Sequence, residues 1–382
     1  MFISLIGTWL QSVAQSWLVF QLTNSAFLLG LVAFLGSIPV FFLSLFGGVL
    51  ADRMNKRTIL ISTQTAFMVL AFLLAALTQA KLVTPAQIMV IAVLNGIVMA
   101  FDMPCRQAIV AELVGKQHLF NAIALNSAAF NSSRVIGPAL AGVLVAGIGM
   151  AGCFYINGVS FLAVILALFW IKVNRHSAPH KNNSALKDLR DGLMVIKDNR
   201  LILVLVCMVA IVSLFGTSYI ILMPIFAKDI LKVGIRGLGM LMSSAGIGAL
   251  VSALILARLG DFKGKGRLLI LSSLVFSASL ILFSLSRIYA LSLVSLVFIG
   301  GASVTAIALI NTILQTEVSD EFRGRIMSAF MFTFAGIMPF GNLLAGALSE
   351  ALGVSLTVML SGILCAVFFI IINILYPEIK SA

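Results

Sequence analysis

Arg134 is the residue whose position most demands a chemical role. It lies about halfway along an apolar run at 118–146, where a charge left in hydrocarbon costs roughly 3 kcal/mol or more. A guanidinium there is expected to face a cavity and meet a partner. Ser127, Asn131, Arg134 and Pro138 recur at helical spacing and share one face. Gln11 and Gln15, one turn apart in the first apolar run, are candidates for a facing wall. A cation set among amides and hydroxyls in such a place suits the carboxylate or phenolate of an otherwise apolar molecule. The alternative is a structural arginine bonded to backbone carbonyls.

Other chemistries find little support. No Asp or Glu falls deep in an apolar run, so no buried titrating carboxylate is expected and the proton site is unassigned; Asp102, Glu112, Glu317 and Asp320, near the cytoplasmic ends of runs, could titrate there but read more simply as interfacial charges. Cys105, Cys153, Cys207 and Cys365 are scattered singly as small core residues, and His118, His176 and His180 sit in loops without metal-ligand spacing. No G-x-x-x-x-G-K-[ST] run is present to cradle a nucleotide phosphate. No Ser/His/Asp set or paired carboxylates suggest an enzyme, and no metal or organic cofactor is implied. Trp9, Trp17, Phe130, Asn157, Tyr219, Asn311 and Asn342 are further candidate cavity contacts, each equally read as helix packing.

The elements that must position these residues follow from composition. Of 382 residues, 61% are hydrophobic and 10% charged, with a mean hydropathy of +1.15; a soluble domain carries about 25% charged residues. Apolar runs of about 20 residues, enough to cross roughly 30 Å of hydrocarbon, fall near 2–21, 27–50, 58–79, 86–104, 118–146, 150–172, 201–226, 237–257, 268–286, 289–311, 325–348 and 354–376. The expected fold is all-α: twelve membrane helices, continuously apolar, unlike the short alternating strands of a barrel. The polar stretch 173–200 divides them into an N-terminal bundle, 1–172, and a C-terminal bundle, 201–382. Within that linker Leu186, Leu189, Leu193 and Ile196 recur opposite Lys187, Arg190, Asp191 and Lys197, as in an amphipathic helix lying on a membrane surface.

The net charge of +12 is a matter of position, not of nucleic-acid binding. With an inward N-terminus, nineteen of the 25 Lys and Arg fall in the even connections and the C-terminal tail, and five (Lys81, Lys228, Lys232, Arg236, Arg287) on the other side; Arg134 is the one left over. That asymmetry places both termini in the cytoplasm. Met1 opens directly into an apolar run without a basic lead or cleavage site, so that run is read as a membrane helix; a late start or a truncated N-terminus is expected.

The halves repeat. GGVLADRMNKR at 47–57 is echoed by ARLGDFKGKGR at 257–267, which makes Asp52 and Asp261 equivalent, 209 residues apart. Glu112 pairs with Glu317 at an offset of 205, and Gly137, Ala141 and Gly142 pair with Gly341, Ala345 and Gly346 at an offset of 204. The segment Gly48-Val-Leu-Ala-Asp52-Arg53-Met-Asn55-Lys56-Arg57 resembles the loop signature between helices two and three of the major facilitator superfamily, with Asn55 where Gly is commonest, a departure that a tight turn tolerates because Asn accepts left-handed backbone angles. The stretches 102–142 and 314–348 resemble the siderophore and multidrug exporter branch of that superfamily.

The resemblance implies two pseudo-symmetric six-helix bundles rocking about a central cavity in the bacterial inner membrane. It implies a monomer surrounded by lipid that exports a small molecule, a drug or a siderophore, on the proton gradient. Asp52, Arg53, Arg57, Asp102, Arg106 and Asp261 would then form a conformational switch. Gly137, Pro138 and Gly142 would match the exporters' fifth-helix packing motif, whose bend seals the outward side. An uptake symporter, or a receptor with a transporter fold, is the competing expectation.

Overall fold

The computed structural model describes residues 1–170, 199–217, 219–260 and 262–381, apart from the side chains of a few helix positions that include Asp52 and Arg53. Asp261 and the expected linker helix at 186–196 lie outside the described residues. Every regular element among the described residues is helical. They are α1 (Phe2–Thr23), α2 (Ala26–Arg53), α3 (Lys56–Gln79), a continuous run Pro85–Trp170, α7 (Arg200–Ile230), α8 (Gly234–Leu259), α9 (Lys265–Leu285), α10 (Tyr289–Glu317), α11 (Asp320–Leu352) and α12 (Val354–Leu375), closed by a short 3-10 turn at Pro377–Ser381. The long run is broken where Gly115 and Gly149 take positive φ of 67° and 74°, which only glycine adopts without strain. We label its pieces α4 (85–114), α5 (116–148) and α6 (150–170).

Ten helices among the described residues are long and apolar enough to cross a membrane. That tally runs Asn121–Trp170 through Gly149 as one span and leaves out α1, whose glutamines and serines dilute its hydropathy.

Local signals set the ends. Ser25 caps α2 by accepting a hydrogen bond from Leu28 N at 3.2 Å, and Asn199 caps α7 by accepting from Ile202 N at 3.2 Å. Thr84 and Gln87 close a reciprocal box ahead of α4, with Thr84 N donating to Gln87 Oε1 at 2.8 Å. Asn55 departs from the sequence expectation. Its φ is −68°, not left-handed, and its Oδ1 accepts from Arg57 N at 3.0 Å to cap α3. The equivalent position in the second half, Gly264, takes the left-handed turn at φ 98°. The same bend is thus made by a cap in one repeat and by glycine freedom in the other.

The helix α4 runs ten residues past the apolar window that ended at 104, carrying Arg106 inside a helix rather than in a loop. Pro104 has no N–H to give the Ala100 carbonyl. Gly47 of α2 lies directly against that carbonyl, where a Cβ would collide.

Two compact units result: Met1–Lys181 with Val233–Ser243, and Asn182–Lys232 with Ser244–Ala382. In the first, α2 meets α4 at Gly36 and Gly96, and α5 meets α1 where Gly137 abuts Ile6 and Trp9. The first turns of α8 belong to this unit: Gly142 packs on Ile235 and Arg236, Gly239 on Pro138, and Ser243 Oγ donates to Val135 O at 2.7 Å. In the second unit α8 meets α10 through Gly248 and Gly300, and Gly341 of α11 abuts Ser213 and Leu214 of α7. The paired glycines Gly137 and Gly341 therefore make equivalent helix contacts, α5 on α1 and α11 on α7, as the sequence repeat requires. Small residues allow each backbone approach. The halves differ in α7, which carries π turns at Val212–Gly216 and Phe226–Ile230, while α1 is regular.

Candidate functional site

The α5 helix shows an accessible apolar stripe and, on its other side, an accessible stripe that mixes polar and apolar residues. Leu125, Ile136, Leu140 and Val143 are 73%, 38%, 41% and 63% exposed and lie within about 60° of one another at 100° per residue. About 180° away lie Ser127, Asn131 and Arg134, exposed or half-buried, beside the exposed Ile123 and Phe130. An apolar exposed stripe suits lipid, and a polar one does not.

Asn131 Nδ2 donates to Ser127 O at 2.8 Å, which leaves its amide oxygen and the Ser127 hydroxyl available. Arg134 makes no hydrogen bond or ion pair with any described residue. Beside it the Trp9 and Phe130 rings meet edge-on at 6.5 Å. The stripe thus offers an uncommitted guanidinium, an amide acceptor, a hydroxyl and aromatic faces, a set that can hold an anionic, partly aromatic molecule.

Of the two glutamines placed on a facing wall, Gln15 is half-buried and Gln11 is buried. Gln11 is engaged with α6: Asn157 Nδ2 donates to its Oε1 at 2.7 Å, and Asn157 Oδ1 accepts from Ser160 Oγ at 3.1 Å. Gly7 opens space for this polar seam.

The charged residues around the α2–α3 turn separate into three contacts. Lys56 Nζ and Glu112 Oε1 pair at 2.6 Å. Arg57 Nη2 donates to Phe169 O of α6 at 2.8 Å, with its guanidinium 5.9 Å from the Phe169 ring. The side chains of Asp52 and Arg53 lie outside the described residues, as does Asp261.

The third contact corrects the expectation that no carboxylate is buried. Asp102 is 1% exposed. Its Oδ1 accepts from Thr63 Oγ1 at 2.8 Å and Gln64 Nε2 at 2.7 Å, and its Oδ2 accepts from Arg106 Nε at 2.9 Å and Nη2 at 2.6 Å. Sequence reasoning set Asp102 at an interface because the apolar window ended at 104. The signal that it belonged inside was its i,i+4 spacing to Arg106, which keeps a buried carboxylate paired. Lys56 was likewise left out of the switch residues although it holds the Glu112 pair.

Comparison with known proteins bears on what such a scaffold does. The chain matches the transmembrane secretion effector family over residues 1–382. It is 28% identical over 366 residues to the staphyloferrin A transporter of Staphylococcus aureus, covering 95% of this chain and 91% of that one. It is 26% identical over 378 residues to the enterobactin exporter EntS of Shigella boydii, covering 98% and 88%. A bacterial homologue of the human lysosomal transporter Spinster, solved inward-facing and unoccupied, superposes with a TM-score of 0.77 at 14% identity, covering 100% of this chain and 96% of that one; this likeness speaks to fold alone. The chain is a multi-pass membrane transporter, not an enzyme, and belongs to the transmembrane secretion effector family of the major facilitator superfamily.

Proposed function

We propose that this transporter exports a small amphipathic molecule, a drug or a siderophore, from the cytoplasm on the proton gradient by alternating access. The observation that carries the reading is Arg134: a half-buried cation on a polar stripe, opposite a lipid-type stripe, with no partner among the described residues. A charge kept unpaired in such a place is costly, and its use is to meet a charge that comes and goes. Arg134, Asn131 and Ser127 then bind the anionic end of the substrate, with Gln15 and Gln11 on α1 as the facing wall.

Asp52, Arg53, Arg57, Asp102, Arg106 and Asp261 form the switch that holds one orientation, and Gly137, Pro138 and Gly142 form the packed seal. The bias of basic residues supports cytoplasmic termini; the protein acts as a monomer in a bacterial inner membrane, as the family resemblance implies. The proton gradient replaces any cofactor. The test is accumulation of radiolabelled drugs and a catecholate siderophore in everted membrane vesicles, with and without an uncoupler. Uncoupler-sensitive accumulation is expected; accumulation only in right-side-out vesicles would make the protein an importer, and substrate binding without any flux would make it a receptor.

A further inference from the structure

We propose that Asp102 carries the proton of the transport cycle, with Gln64 and Thr63 built to serve both of its protonation states; this rests on the proton-coupled reading above. Asp102 is 1% exposed inside α4, within the candidate span Pro85–Gly115. Its two oxygens are differently occupied. Oδ2 takes the Arg106 fork, and Oδ1 takes only the neutral donors Thr63 and Gln64.

Both neutral partners hold a second option in place. Gln64 is 1% exposed, and its Oε1 is buried with no hydrogen-bond partner among the described residues. A buried acceptor left unmade is costly, and its persistence calls for an account. Rotation of that amide by half a turn would bring Oε1 to the place Nε2 now occupies, 2.7 Å from Oδ1. The Thr63 hydroxyl, besides its bond to Asp102, lies 3.1 Å from Leu60 O and can turn its hydrogen there.

Thus when water delivers a proton to Oδ1, a new O–H bond forms, Gln64 Oε1 accepts it, Thr63 turns to Leu60, and Arg106 stays on Oδ2. No backbone movement is required. When the proton returns to water on the other side, the present arrangement is restored.

The charged groups around the cluster are few. Arg106 is on the same helix. From α3 the facing groups are the uncharged Thr63 and Gln64. Lys56 and Glu112 pair with each other, Glu112 standing ten residues and about 15 Å farther along α4. The side chains of Asp52 and Arg53 on α2 are outside the described residues.

Two measurements on the full chain test this. In pH-difference infrared spectra of the purified protein in lipid nanodiscs, a protonated-carboxyl band is expected that vanishes in Asp102→Asn and moves to higher frequency in Gln64→Leu, where the acid loses its acceptor. Absence of the band, its survival in Asp102→Asn, or its indifference to Gln64→Leu overturns the assignment. The Gln64 variant keeps the test standing if Asp102→Asn does not fold.

In everted vesicles given radiolabelled dihydroxybenzoate and the siderophore panel, Asp102→Asn is expected to fall to the level an uncoupler leaves in wild type. Full uncoupler-sensitive accumulation by a folded Asp102→Asn would sink the role of Asp102 alone. Wild-type accumulation that ignores the uncoupler would sink proton coupling itself, and Asp102 with it.

Discussion

Replacing Arg134 by alanine separates a binding role from a structural one, because the two place the free-energy loss in different measurements. In the free protein Arg134 bonds to no described residue, so truncation strands no partner. The folding cost is then that of an ordinary substitution, within about 0.5 kcal/mol. A bound anion, by contrast, loses a charge-assisted hydrogen bond worth about 1.5–3 kcal/mol. At 1.4 kcal/mol per decade this weakens affinity about 10- to 150-fold. Arg134→Ala is therefore expected to melt within a few degrees of wild type while binding of an anionic substrate, followed by scintillation proximity on detergent-purified protein, drops by one to two decades. Substrates without an anionic group lose much less. Wild-type affinity together with a lowered melting temperature would refute the reasoning, since it would show an arginine serving backbone carbonyls.

Gly137→Val drives a side chain onto Trp9 and Ile6 O, and Gly341→Val onto Ser213 and Leu214; each should cost about 1–3 kcal/mol or more, seen as lost thermal stability, and an unchanged melting curve for either would deny the close approach. Reversing Lys56 to Glu or Glu112 to Lys breaks a pair whose side chains are 15% and 20% exposed; the double reversal should recover about 1 kcal/mol of coupling in a double-mutant cycle, and strict additivity would show that the pair couples nothing. Asp52→Asn is expected to slow turnover in vesicles with little change in substrate affinity, as a switch residue requires; unchanged turnover would leave the α2–α3 turn as a determinant of topology alone.

Much of this was readable from the chain because the bilayer imposes simple rules. Continuous apolar runs must be helices, so the helical order and the α2–α3 turn were legible from hydropathy. The paired glycines at 137 and 341 announced a duplicated helix contact that the structure displays on α1 and α7. What failed was local. Asn55 was read as a substitute for glycine's left-handed turn, yet an Asn side chain can also cap, and the cap won. The burial of Asp102 was not legible because a hydropathy window cannot see that Arg106, Thr63 and Gln64 would enclose and pair it. Gln11 and Gln15 share a face by spacing, but the partner that engages Gln11, Asn157, is 146 residues distant and no periodicity points to it.

The repeat supplies an internal control on which residues serve packing and which serve function. At the offset of 204, Gly137, Ala141 and Gly142 have small counterparts, but Arg134 corresponds to Met338. The second bundle thus builds the same α11-on-α7 contact without a cation, so that contact does not need one. Asp102 fares likewise: at offsets of 204 and 205 stand Ala306 and Ile307. The Lys56 and Glu112 positions, by contrast, carry Lys265 and Glu317 in the second half. Features present in both repeats, the glycines and the Lys and Glu at the helix ends, are what a six-helix bundle requires to pack and to be held at its turns. Features present once, the unpaired Arg134 and the buried Asp102 with its two-option partners, add the cost of a buried charge without adding to the shared contacts. A duplicated scaffold that bears such costs in one half alone concentrates its chemistry there, and grafting Met at 134 should leave the fold intact while removing anion binding.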